Sequence, residues 1–153
     1  HQTASARILK VETALADVLV AFDPEHLRRV MVNLLDNAKR YASTRADAMV
    51  VSTGAAPSGQ AILSIWSDGD PLDQSIERNL FEPFFSSESR SSGLGLYICR
   101  ELCDGHGATI AYQRSRRFVR GQELDGNEFF ITFRPSRRES DGSRQSDKMP
   151  LEP

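Results

Sequence analysis

Between residues 23 and 42 the apolar positions recur with the period of an α-helix. Leu27, Val30, Met31, Leu34, Leu35 and Ala38 follow one another at spacings of three and four, which gathers them on one stripe. Asp23-Pro24 marks the start. The Asp side chain can accept from the free N–H groups of the first turn, and a Pro at the first helical position has no N–H to lose. This helix is expected to end near Ala42. A second helix, from Leu94 to about Asp104, buries Leu96, Cys99, Leu102 and Cys103. Short apolar runs bounded by turn residues predict strands at Ala6 to Ala14, Val18 to Phe22, Ala48 to Thr53, Ala61 to Ser67, Thr109 to Gln113 and Phe129 to Arg134. Gly54 to Gly59, with Pro57 and Ser58, turns one strand into a hairpin partner. Residues 68 to 92 read as loop, with one helical turn near Ser75 to Asn79. Strands joined by hairpins and followed by helices favour an α+β fold, a two-layer α/β sandwich in which helices cover one face of a mixed sheet.

The polar residues of the first helix are less ordinary than its stripe. Asn33, Asn37 and Arg40 fall within an arc of roughly 60° beside the apolar face. Two amides and a guanidinium along one edge suit a polar ligand, whereas a solvated face would carry them only by coincidence. Downstream come Ser67-Asp68-Gly69-Asp70-Pro71, then Leu80-Phe81-Glu82-Pro83-Phe84-Phe85, then Ser92-Gly93-Leu94-Gly95-Leu96. Glycines at a helix start let backbone approach an anion closely, and free N–H groups there attract negative charge.

Composition narrows the classes without choosing among them. The 153 residues suit one domain with a core. The formal charge of −2 gives no general attraction to nucleic acid or anionic membrane, and no run approaches a membrane span. The expected setting is cytoplasmic, without direct membrane contact, and the isolated domain is expected to be monomeric. Cys99 and Cys103 stand four apart on one helix, a poor geometry for a disulfide, and read as free thiols. Residues 136–153 are polar and unpatterned, and read as a disordered tail or a linker.

In order and spacing, these four segments resemble the N, G1, F and G2 boxes of the ATP-binding catalytic domain of bacterial sensor histidine kinases, of the gyrase, Hsp90, histidine kinase and MutL superfamily. The resemblance covers about residues 5–135. In lid style it is nearest to the nitrogen- and pilus-regulatory sensor kinases. It implies the Bergerat fold, with a mainly antiparallel sheet and nucleotide bound between the helix layer and a lid. It implies ATP and Mg2+, with Asn37 as the magnesium ligand. Asn33 then faces phosphate or an ordered water, where hydrolytic relatives carry a Glu base. An amide cannot take a proton, which suits transfer to another protein. Arg40 stands where the family places a basic residue on phosphate, and Tyr41 near the base or ribose. Ser92, Gly93, Leu94, Gly95 and Leu96 form the phosphate-facing helix start. Residues 86–92 form a short polar lid whose only cation, Arg90, is the candidate for the γ-phosphate. Phe81, Phe84 and Phe85 are expected as core aromatics anchoring the lid.

The G1 segment departs from the family's Asp-x-Gly-x-Gly. Aligned on Gly69, Ser67 takes the place of the adenine-binding Asp and Pro71 that of the second Gly. Strand parity puts Leu63, Ile65 and Ser67 on one face and Ser64, Trp66 and Asp68 on the other. Either Ser67 meets the base, or a one-residue slip brings in Asp68. The implied reaction is transfer of the ATP γ-phosphoryl group to a histidine on a separate dimerisation and phosphoacceptor domain, for relay to a response regulator. None of the chain's own histidines, His1, His26 and His106, lies in the family's phosphoacceptor motif. Two rivals stay open. One is a degenerate module sensing a nucleotide such as a cyclic dinucleotide through Arg116 and Arg120, in a cluster with Arg114 and Arg117 expected in a hairpin loop. The other is an anti-sigma-type serine kinase.

Overall fold

A computed structural model describes residues 9–13, 18–85 and 94–135. Five strands and three helices are found among them: β1 (Leu9–Thr13), α1 (Pro24–Tyr41), β2 (Met49–Ala55), β3 (Ala61–Ser67), α2 (Gln74–Arg78), α3 (Gly95–Gly105), β4 (Thr109–Val119) and β5 (Gln122–Thr132). The strands form one sheet in the order β1-β2-β3-β5-β4. Only β1 and β2 run parallel; the other pairs are antiparallel. The expected α+β sandwich and its mixed sheet are therefore present.

The start of α1 follows from its capping residues. Asp23 Oδ1 accepts from the N–H groups of Glu25 at 2.8 Å and His26 at 3.3 Å, and Pro24 opens the helix. The buried stripe, Val30, Leu34 and Ala38, packs with Cys99 and Cys103 of α3 onto Met49, Ile65, Phe129 and Ile131 of the sheet. Alternation along β3 holds as expected: Leu63 and Ile65 belong to this core, while Trp66 belongs to a small second cluster with Val50 and Val119 on the opposite face.

Three expectations are corrected. Residues 18–22 form no strand. Val20 and Phe22 bury against the core instead, and Phe22 stacks on His106 at 4.0 Å, so their apolar character serves packing at the helix end. Phe84 is not a core aromatic: it is 78% exposed, on backbone with φ of 62°. Phe81 alone of the three meets a core ring, edge-on to Phe129.

The third correction concerns the arginine cluster. Arg114, Arg116 and Arg117 lie on β4 rather than in a loop, because β4 and β5 each run 11 residues and join through Arg120-Gly121. Both turn residues have positive φ, 51° and 78°, the conformation of a tight two-residue hairpin turn. The distal half of this hairpin folds over the open face of the sheet. Val119 and Leu124 cover Trp66 and Val50, Trp66 Nε1 donates to the Ser115 carbonyl at 3.2 Å, and Arg117 reaches Ser52 on β2 and Glu12 on β1. Gly126 makes the crossing possible: a Cβ there would lie 2.3 Å from the Ser67 carbonyl oxygen and 2.4 Å from the Trp66 ring.

Candidate functional site

The α1 edge that carries Asn33, Asn37 and Arg40 lies beside the stripe that buries Val30, Leu34 and Ala38. Asn33 and Asn37 are half-buried, while Arg40 is exposed. The start of α3 comes up against this edge. A Cβ built on Gly95 would stand 4.0 Å from Asn33 Oδ1. One turn further along α3, the fully buried Cys99 thiol reaches the Val30 carbonyl at 3.7 Å. Burial pushes this thiol up to about 12, partly opposed by its hydrogen bond with the Asn33 side chain. Burial likewise raises Cys103, to about 11. Both cysteines are free and neutral at ordinary pH, as expected.

The N-cap of α3 is Leu94, which has no side-chain group able to cap, and Leu96 packs on the core. Gly95, the first residue of α3, is the part of the helix start that meets Asn33. Arg90, Ser92 and Gly93, with the rest of the expected lid, lie outside the described residues.

The loop after β3 lies against the C-terminal end of α1. Ser67 ends β3, is 4% exposed, and pairs in register with Asn127 of β5. Asp68 turns toward the chain that follows α1. Its Oδ1 accepts from the Ser43 N–H at 2.8 Å and its Oδ2 from the Ser43 hydroxyl at 2.6 Å, so both oxygens secure the chain just past the end of α1. Gly69 is wedged: a Cβ there would lie 3.2 Å from both the Tyr41 carbonyl oxygen and Asn127 Nδ2. Gly69 thus sits against the C-terminal turn of α1, next to Tyr41.

Asn127 and Tyr112, which the sequence did not single out, meet this loop together with Arg114, which it named only as part of a basic cluster. Asn127 Nδ2 donates to the Asp70 carbonyl at 2.9 Å, and its Oδ1 accepts from the Tyr112 hydroxyl at 2.5 Å and Arg114 Nη1 at 3.2 Å. Arg114 also donates to the Gly69 carbonyl at 2.5 Å. Burial, with Glu77 nearby, raises the Tyr112 phenol above its ordinary value, so it stays a donor. The period-two run Asn127, Phe129, Ile131, Phe133 was a signal for Asn127, had it been followed one step toward the N-terminus.

The remaining arginines are occupied elsewhere. Arg116 pairs with Asp125 at 2.9 Å and Glu123 at 3.4 Å, Arg117 with Glu12 at 3.1 Å, and Arg120 with Asp47 at 3.7 Å. Asp125 and Glu123 raise the Arg116 guanidinium further above its ordinary value, and Arg116 in turn lowers Asp125. Arg116 and Arg120 thus each face an acidic partner while staying exposed to solvent. His106 donates through Nδ1 to the Leu102 carbonyl at 2.7 Å and meets His26 edge-on at 5.1 Å, both packing roles.

Known proteins agree with this arrangement. The family described as histidine kinase-, DNA gyrase B-, and HSP90-like ATPase matches residues 22–138. The chain is 34% identical to the sensor protein kinase PilS of Pseudomonas aeruginosa over 133 residues, 85% of this chain and 24% of that protein. It is 33% identical to the signal transduction histidine-protein kinase AtoS of Escherichia coli over 88 residues, 58% of this chain and 14% of that protein. The chain thus spans a quarter or less of the length of these curated relatives. In fold it is similar to the catalytic domain of the histidine kinase ThkA, with a TM-score of 0.67 and 23% identity, covering 86% of this chain and 82% of that one. A mycobacterial sensor histidine kinase, MprB, gives a TM-score of 0.64 and 23% identity over 88% of this chain and 91% of that one. With the N-box helix, the glycine-opened α3 and the loop after β3 converging as they do, the chain belongs to the histidine kinase-, DNA gyrase B- and HSP90-like ATPase family, as an ATP-binding catalytic domain of the sensor histidine kinase type.

Proposed function

We propose that this domain binds ATP with magnesium and passes the γ-phosphoryl group to a histidine on a separate dimerisation and phosphoacceptor domain, for relay to a response regulator. The observation that carries this reading is the apposition of Gly95 and the Asn33 amide, which sets the start of α3 beside the polar edge of α1. Anionic phosphates fit between N–H donors and amides, and phosphoryl transfer depends mainly on positioning and charge neutralisation.

In this reading Asn37 holds the metal. Its side-chain carbonyl is a hard neutral oxygen, of the kind magnesium accepts alongside phosphate and water. Among the described residues no group of three or more His, Cys, Asp or Glu gathers into a metal cage, so the ion would rest on this amide and the nucleotide. Bound there, magnesium supplies charge neutralisation on the phosphates. Asn33 donates through its amide and cannot act as a base toward water, which favours transfer over hydrolysis. Arg40 extends the phosphate wall into solvent. Ser67, at the buried end of β3, meets the purine edge, since Asp68 is committed to Ser43.

Titration calorimetry with ATP, with and without magnesium, tests this. Asn37→Ala is expected to lose the magnesium-dependent part of binding while unfolding at the same temperature as the native protein. Binding that is indifferent to both the ion and the substitution overturns the assignment. Addition of the phosphoacceptor domain of the parent kinase should yield acid-labile phosphate on its histidine.

A further inference from the structure

We infer that Asn127, braced by Tyr112 and Arg114, is the positioning residue of the base-binding loop, and that it sets discrimination between purine bases by holding the loop's backbone in place while Asp68 is bound to Ser43. The inference rests on the reading that a nucleotide base sits at residues 67–70.

Ser67 is the last residue of β3 and lies directly across from Asn127. Beyond it, Asp68 turns toward Ser43 and spends both oxygens there. Of the two carboxylates in this loop, that of Asp68 is thus engaged and that of Asp70 is exposed. The loop's backbone is held from outside. Asn127 Nδ2 grips the Asp70 carbonyl at 2.9 Å and Arg114 grips the Gly69 carbonyl at 2.5 Å. Tyr112 and Arg114 both donate to Asn127 Oδ1, which fixes the orientation of the amide and hence which end faces the loop. Gly69 is packed between Asn127 and the Tyr41 carbonyl, so the loop has no room to settle closer if either grip is lost.

Asn127 is 5% exposed, so a variant lacking its amide leaves the Asp70 carbonyl and the Tyr112 hydroxyl without their partners. The loop then loses its register over the base, while the phosphate wall of Asn33, Asn37 and Gly95 on the far side is untouched. A residue that only supported the fold would lower affinity for all nucleotides alike. A residue that positions the base loop alters the preference among bases.

The test is calorimetric binding of magnesium-ATP and magnesium-GTP to this chain and to Asn127→Ala and Arg114→Ala, with thermal unfolding of each. The native chain is expected to prefer ATP. Asn127→Ala should weaken ATP binding about tenfold, the equivalent of one lost buried hydrogen bond, and bring the ATP-to-GTP ratio toward one. Arg114→Ala, at an exposed position where folding is not at risk, should shift the ratio in the same direction by a smaller factor. Unchanged affinity and ratio in both variants, alongside loss of binding in Asn37→Ala, overturns the role of Asn127 and leaves the nucleotide reading standing. A native chain that takes GTP as readily as ATP also overturns it. A native chain that binds neither nucleotide removes the nucleotide reading itself. Should Asn127→Ala not fold, Arg114→Ala decides alone.

Discussion

The Cα of Gly95 faces the side chain of Asn33, so that a methyl group added to it would stand 4.0 Å from Oδ1. Two segments far apart in the sequence are thus brought to one place, where the proposed function puts the phosphates. Gly95→Ala separates stability from function. Alanine is a better helix former than glycine by about 0.5–1 kcal/mol, and no steric clash opposes it. The variant should melt at the native temperature or slightly above. Yet its methyl group stands where phosphate oxygens approach the backbone, so ATP affinity should fall at least about tenfold, by calorimetry. Undiminished binding would place the phosphates elsewhere.

Asp68 gives a second separation. Its two hydrogen bonds to Ser43 tie the chain after α1 to the loop after β3. Asp68→Ala should therefore cost stability, on the order of 1.5–3 kcal/mol for hydrogen bonds to a charged group, as measured by urea unfolding. The ATP-to-GTP preference should change little. The reverse result, native stability with lost adenine preference, would mean that Asp68 and not Ser67 meets the base.

Gly126 and Trp66 supply a third, with a built-in reporter, since Trp66 is the only tryptophan of the chain. The ring is fully buried beneath the hairpin that Gly126 lets cross it. Gly126→Ala overpacks a contact in which one partner is backbone, and should destabilise by about 1–3 kcal/mol or more. The tryptophan emission should move to longer wavelength as the hairpin lifts. An unchanged spectrum and unchanged stability would refute the crossing.

Core packing yields the plainest expectation. Leu34 is 1% exposed in the centre of the main cluster. Leu34→Ala should cost about 2–5 kcal/mol in denaturant unfolding, from lost burial plus the cavity left behind.

The two thiols predict a dependence on alkaline pH. Burial raises Cys99 to about 12 and Cys103 to about 11, from an ordinary value of 9.0. A group whose folded value is raised contributes stability fully present below its unfolded value, and that contribution is lost as pH rises toward the folded value. Stability should therefore hold up to about pH 9 and fall between 9 and 12 in unfolding curves. At pH 8 neither thiol should react with an aromatic disulfide reagent until the protein unfolds; fast labelling of native protein would contradict their burial. At the acid end the sign reverses. Asp23 is lowered by the N–H groups it caps, so its contribution is present above the ordinary carboxylate range and lost as pH falls through its folded value.

By itself the sequence determined whatever depends on local periodicity and local chemistry. The stripe of α1, its Asp23-Pro24 start, the face assignments of β3 and the buried side of α3 all follow from spacings within a few residues, because each element's pattern repeats at its own period. The juxtaposition of Asn33 with Gly95 was legible too, but only through resemblance to a family, since nothing in either segment points to the other. Tertiary structure decided the rest. The reach of β4 and β5 to the Arg120-Gly121 turn was missed because Arg114 to Glu128 is too polar to read as strand; its arginines gain strand geometry from partners on other strands, Glu12, Ser52 and Asp125. Phe84 looked like core and lies in solvent, because hydrophobicity does not say which side of a turn a residue takes. What Asp68 binds depended on Ser43, 25 residues away. A hydrogen bond over that separation is chosen by how the layers pack, and no window along the chain contains it.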